Sequence, residues 1–343
     1  MTFSDKLILD EPNLKILSEN RKEIDVGGFK LFKNVITKKF WATVKVNWLS
    51  LVFALPLIVW IFFWQMRTIQ LNITLPYSSG IGVFYPSVPN ASHVSVAARW
   101  SLALQTALIM IPMVALACVG LAGAFNVMKY VVWGMDIKII KTFFKGVKNS
   151  FLPFIWMGVI LALCFLMMTS FVFIFDYHSI SVAVKVIMLI IGSIISLFAI
   201  IMTMFMFSQA SMFNLSMLDM LKNSARLSFK FILQNIFVSI AGTLVIVLLL
   251  IPSGAGFFGM LLTMMGFILF FMFAFSWLAA AYTIYTQFIF DAAYSAKKKA
   301  EDKKGEAYYD RDEHEQDAIK TQAKPKKKKQ QQAYINPKKG KKK

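Results

Sequence analysis

The six longest apolar runs of this chain contain no Asp or Glu, and nearly all of its Lys and Arg gather in every second gap between them. Each run is near the roughly 20 apolar residues that a helix needs to cross a hydrocarbon layer about 30 Å thick. Gaps rich in Lys and Arg are held on the cytoplasmic side, so the alternation carries an orientation as well as a location. The runs fall at about 46–64, 101–127, 152–175, 182–207, 231–251 and 257–290. With 57% hydrophobic and 16% charged residues, the chain is too apolar for an ordinary soluble domain of its length.

A transmembrane β-barrel would also satisfy every backbone group in lipid, but its strands alternate apolar and polar residues. The run FIWMGVILALCFLMMTSFVFIF, 154–175, does not alternate. The expected fold is therefore all-α: a polytopic membrane bundle of six helices in three hairpins. Residues 1–45 form an N-terminal segment, 46–290 the six-span domain and 291–343 a tail.

The first 45 residues hold nine basic and six acidic side chains, which does not fit a cleavable secretory signal. With that segment inside, five basic residues follow span two, three follow span four and seventeen follow span six, whereas the outer gaps hold only Arg67, Arg99 and Lys185. The expectation is a cell-membrane protein with both termini cytoplasmic.

Before each hairpin lies a stretch that reads as a basic amphipathic helix at the headgroup layer. In 136–151, Lys138, Lys141, Lys145 and Lys148 recur at spacings of three and four, opposite Ile140, Phe143, Phe144, Val147 and Phe151. In 27–48, Phe32, Ile36, Phe40 and Val44 are spaced by four among Lys33, Lys38, Lys39 and Lys45. In 216–231, Lys222, Arg226 and Lys230 share one side. These residues are the expected contacts to anionic lipid or another polyanion, and three such rounds suggest internal duplication.

The outer segment 66–100 carries Pro76, Pro86, Pro89, Gly80 and Gly82, which oppose a continuous helix there. The tail ends in KPKKKKQQQAYINPKKGKKK, which cannot bury a core. Its ten lysines, Lys324, Lys326, Lys327, Lys328, Lys329, Lys338, Lys339, Lys341, Lys342 and Lys343, have no acid among them. That run suits either an anionic leaflet or the phosphates of a ribosome or other RNA.

Chemistry inside a membrane normally leaves ionisable residues in the spans. The six runs contain no Asp, Glu, Arg or His, and only Lys185 lies near an outer end. Cys118 and Cys164 lack any metal or redox spacing, and His93, His178 and His314 stand apart, so neither a metal site nor a cofactor is expected. The polar residues within the runs, such as Asn126, Ser196, Asn235 and Ser239, read as hydrogen-bonding glue between helices. Pro56 and Pro112 are expected to kink spans one and two. The Met-rich strip 200–222 fits either core packing or an adaptable groove for client helices.

The stretches VNWLSLVFALPLIVW, MKYVVWGMDIKIIKTFFKGVKNSF and LKNSARLSFKFILQNIFVSIAGTLVIVLLL resemble the YesL-like family of bacterial integral membrane proteins, over about residues 27–290. Asn47, Trp48, Pro56, Phe143, Phe144, Asn149 and Asn235 carry that resemblance as structural residues. It implies a bacterial cell membrane and an accessory role in carbohydrate uptake; the longer outer loop and the Lys-rich tail depart from the family. The leading expectation is a non-enzymatic accessory or regulatory component of a membrane complex, with membrane-protein partners. The alternatives are a membrane-protein biogenesis factor whose tail holds ribosomes, and a passive channel.

Overall fold

The computed structural model describes residues 28–74, 91–135, 137–174, 181–249 and 258–290. They are helical apart from short connections, with no strand among them. The helices are α1 (Gly28–Lys38), α2 (Phe40–Thr74), α3 (Ala91–Val132), α4 (Ile139–Ile174), α5 (Val182–Met212), α6 (Met217–Lys230), α7 (Ile232–Leu249) and α8 (Phe258–Phe290). The tail lysines, the loops 176–179 and 252–256 and the proline-rich part of the outer segment lie outside the described residues.

Five helices, α2, α3, α4, α5 and α8, are long and apolar enough to cross a membrane. The sixth candidate is α6 with α7, a pair bent by 102°. The fold is thus the expected polytopic helix bundle with five or six crossings. Several spans run further than the apolar runs alone: α2 begins at Phe40 and α3 ends at Val132. That extension places Lys45 and Lys129 within the helices that cross.

The regular helix is interrupted after each amphipathic segment. Lys39 separates α1 from α2. Within α4 the break is at Ser150 (φ −115°, ψ 16°), ahead of Pro153. Proline supplies no N–H to the carbonyl four residues back and disfavours helical backbone at the residue before it, so the helix yields near this point. Between α6 and α7 the break is at Phe231, with a similar backbone (φ −115°, ψ 32°). Pro56 and Pro112 instead sit inside continuous helices.

Capping fixes two of the ends that surround the basic side of the bundle. Gly134, with φ 72°, allows Met135 N–H to reach the Tyr130 carbonyl at 3.0 Å and Gly134 N–H to reach Val131 at 3.1 Å. This is a Schellman closure of α3, which needs the left-handed backbone that glycine adopts without strain. At the start of α6, the Ser216 hydroxyl accepts from Asp219 N–H at 3.3 Å and donates to the Asp219 carboxylate at 2.6 Å, a reciprocal N-cap.

α3 is the central helix: 61% of its apolar window is buried, against 17 to 28% for the other four spans. Small residues permit this. Gly123 receives the Phe143 ring, and Gly158 approaches the Ala115 backbone so closely that a Cβ would lie 2.6 Å from the Ala115 Cα. Phe125, Phe154 and Phe207, one each from α3, α4 and α5, form the aromatic core, with Phe154 stacked on Phe207 at 4.8 Å. Met204, Met206, Met212 and Met220 are buried, so this part of the Met-rich strip serves as packing.

Polar side chains tie α8 to its neighbours. The buried Asn47 amide donates to the Phe270 and Phe271 carbonyls at 3.0 and 2.8 Å and accepts from the Phe275 N–H at 2.8 Å. It therefore joins α2 to α8 at the carbonyl and N–H that would otherwise pair within the helix. On α7, Ser239 meets the Tyr282 hydroxyl at 2.6 Å, and Asn235 accepts from the Tyr285 hydroxyl at 2.8 Å. These are the interhelical bonds expected of polar residues in spans.

Candidate functional site

Charge is distributed one-sidedly among the described residues, where sixteen Lys and Arg accompany a single acid, Asp219. Thirteen of the sixteen fall in α1, the first residues of α2, the end of α3, the loop into α4 and its first turns, and α6. Lys33, Lys38, Lys138, Lys141, Lys145, Lys148, Lys222 and Arg226 are exposed as the sequence predicts, and Lys39 is half-buried. The complementary face of the α4 segment divides in two: Phe143 is buried in the bundle, while Ile140, Phe144 and Phe151 stay exposed.

These elements form two concave sites at the basic end. The first is a groove of about 1020 Å³ between the start of α2 and the start of α4. Its apolar floor includes Val44, Leu49, Val52 and Ile140, and Lys45, Lys138 and Lys141 also line it. The exposed Trp41 and Trp48 flank it. Apolar surface beside ammonium groups and indoles is the chemistry of a lipid interface, with acyl chain below and phosphate above.

The second site is polar and smaller, about 410 Å³. Asn126, Lys129 and Tyr130 come from the end of α3, Lys145 and Asn149 from α4 before its break, and Ser211 from the end of α5. Lys129 is only 9% exposed, and its Nζ donates to the Ser211 carbonyl at 2.7 Å. The ammonium also lies 4.8 Å from the Tyr130 ring centroid and 5.5 Å from that of Trp133. Asn126 holds the α4 segment in place by donating to the Thr142 carbonyl at 2.9 Å, and Gly146 lies so close to Asn126 that a Cβ there would clash.

A third polar region lies in the packed interior. α6 buries Asn223, Ser224 and Ser228 and leaves Leu218 and Phe229 exposed. Gln209 donates to the Ser224 hydroxyl at 2.8 Å, and Asn235 donates to the Leu227 and Ser228 carbonyls at 3.3 Å each. Gln209 Oε1, Ser228 Oγ, Thr283 Oγ1 and both amide atoms of Gln287 have no hydrogen-bond partner among the described residues.

Of the residues that carry the family resemblance, Asn47, Phe143 and Asn235 are packed inside, Trp48 flanks the lipid groove and Asn149 lines the polar cavity. Phe144 is exposed, and Pro56 lies within α2. Lys129 escapes a reading of the sequence because a lone lysine at the inner end of a span looks like one more interfacial cation. The only available signal is its setting, FNVMKYVVW, in which it is the one charge. Among the described residues, no three His, Cys, Asp or Glu side chains converge on a common point. No family model, no curated protein and no solved structure matches this chain.

Proposed function

We propose that this chain is a non-enzymatic multipass protein of the bacterial cell membrane that serves as an accessory or regulatory component of a membrane complex. Its basic end faces the cytoplasm and rests on the anionic inner leaflet. The observation that carries this reading is the set of three amphipathic helical segments, each set off from the span that follows it by a break in the helix, which at Phe231 bends α7 by 102° from α6. Their lysines and arginines are exposed, and the side chains on their inner faces are buried in the bundle. Such an arrangement offers a surface to lipid and to partner subunits, while the spans are tied to one another by their own polar groups. A link to carbohydrate uptake follows from the YesL-like resemblance of Asn47, Trp48, Phe143, Phe144 and Asn149.

Purification of the full chain from native membranes in mild detergent, followed by mass spectrometry, tests the reading. Stoichiometric recovery of other membrane proteins is expected, and a partnerless monomer overturns it. Salt-sensitive co-sedimentation with ribosomes, lost on deletion of 324–343, would favour the biogenesis alternative instead.

A further inference from the structure

The geometry points to the cavity between Lys129 and Lys145 as a binding site for a phosphate monoester dianion, presented either by a lipid headgroup or by a soluble phosphate. This inference is independent of the accessory role: the cavity can bind or fail to bind whatever partner is recovered.

The argument begins with charge. Two ammonium groups line one cavity of about 410 Å³. The only acid among the described residues, Asp219, is engaged in capping α6 through Ser216. A cation as enclosed as Lys129 is costly without compensation. The Ser211 carbonyl at 2.7 Å supplies part of it, because it lies in the last turn of α5, where the helix dipole amounts to about half a negative charge. That leaves a surplus of more than one positive charge in a site walled by helices. An anion restores the balance, and a doubly charged one matches it better than the single charge of a phosphodiester.

The donors suit the same ligand. A lysine ammonium carries three N–H groups, so Lys129 keeps two after bonding to Ser211. Lys145 of α4 carries three more, and Asn149 and Tyr130, each with a side-chain donor, are among the residues that line the cavity. Tetrahedral oxygens accept from several directions at once, which suits donors supplied by two different helices. The volume falls in the range of small-ligand pockets, roughly 300–1,000 Å³. The framework is also fixed before any ligand arrives. Asn126 bonds to the α4 segment, Ser150 donates to the Ala210 carbonyl at 3.2 Å, and Gly146 seats α4 against α3.

The test uses the full chain in detergent and measures binding by titration calorimetry with three probes: dioctanoyl phosphatidic acid, dioctanoyl phosphatidylglycerol and inorganic phosphate. Phosphatidic acid is expected to bind more tightly than phosphatidylglycerol. Lys145→Gln, an exposed position whose replacement leaves the packing intact, is expected to weaken binding by roughly tenfold, the loss of one charge-assisted contact. Lys129→Met should weaken it at least as much if that variant folds. Arg67→Gln, an exposed position near the far end of α2, is expected to leave affinity unchanged. Competition by inorganic phosphate identifies a soluble phosphate as the source, whereas binding of phosphatidic acid without such competition identifies the lipid headgroup. No binding of either monoester, no preference over phosphatidylglycerol, or equal losses in Lys145→Gln and Arg67→Gln overturns the assignment.

Discussion

Asn47 and Gln287 are both fully enclosed amides, yet their circumstances are opposite. Asn47 satisfies two carbonyls and one N–H of α8 from α2. Gln287 has neither amide atom paired among the described residues. Removing a partner from a buried group costs about 1–3 kcal/mol, whereas replacing an unpaired polar group by an apolar one of similar shape is neutral or stabilising. Asn47→Ala is therefore expected to lower the melting temperature of the purified protein in detergent by several degrees. Gln287→Met, close to isosteric, is expected to leave it unchanged or raise it. A fall on Gln287→Met would mean that ordered water completes the hydrogen bonds of that amide. The exposed lysines are a different case, because each is individually worth little to stability in a solvated setting. Their value lies in the binding surface.

At the scale of elements, close approach and interruption together shape the bundle. Gly158 lies against the backbone of Ala115, where an added Cβ would meet the Ala115 Cα at 2.6 Å and its N at 3.1 Å. Main chain cannot rotate aside, so Gly158→Ala must separate α3 from α4 near the central helix, at a cost of roughly 1–3 kcal/mol. Gly28→Ala meets only the edge of the Phe288 ring, at 3.4 Å, and is expected to be tolerated. Thermal unfolding of the two variants in the same detergent checks the contrast; equal behaviour would contradict the packing described. The lysine spacing of 138–148 and the placing of Lys222, Arg226 and Lys230 on one side of 216–231 made these segments legible in the sequence as basic helices, because a helix period leaves a direct trace in residue order. The orientation of α6 was less so. Its buried side mixes Met220 and Leu227 with Asn223, Ser224 and Ser228, while Leu218 and Phe229 stay exposed, so apolar spacing alone does not mark which side faces the bundle. Lys129 was hidden for a related reason: its enclosure comes from the end of α5, some eighty residues later in the chain, and no local pattern records that contact. The end of span two also differs, because the apolar run was cut at Val127, ahead of Lys129, whereas the helix carries Lys129 inside it and continues to Val132.

For the whole molecule, the open quantity is the number of crossings, and it turns on α6 and α7. α6 is amphipathic, with a charged side of Lys222, Arg226 and Lys230, and the 102° bend directs α7 away from it. α7 has 18 residues, and at about 1.5 Å of rise per residue they extend roughly 27 Å, close to the thickness of a hydrocarbon core. On those dimensions the expected arrangement has α7 crossing and α6 along the interface, with six crossings and both termini on one side. Five crossings would place the termini on opposite sides. Single cysteines at Lys33 and Lys299, in a background with Cys118 and Cys164 replaced by serine, distinguish the two when labelled with a membrane-impermeant maleimide. Both are expected to react only after the cytoplasmic side is opened, while a cysteine at Arg67 reacts from outside in intact cells. Labelling at Lys299 from outside, with Lys33 still protected, would make α6 and α7 a re-entrant pair and reduce the span count to five. The positive-inside rule argues against that arrangement, because it would carry the seventeen basic residues that follow α8 across the membrane.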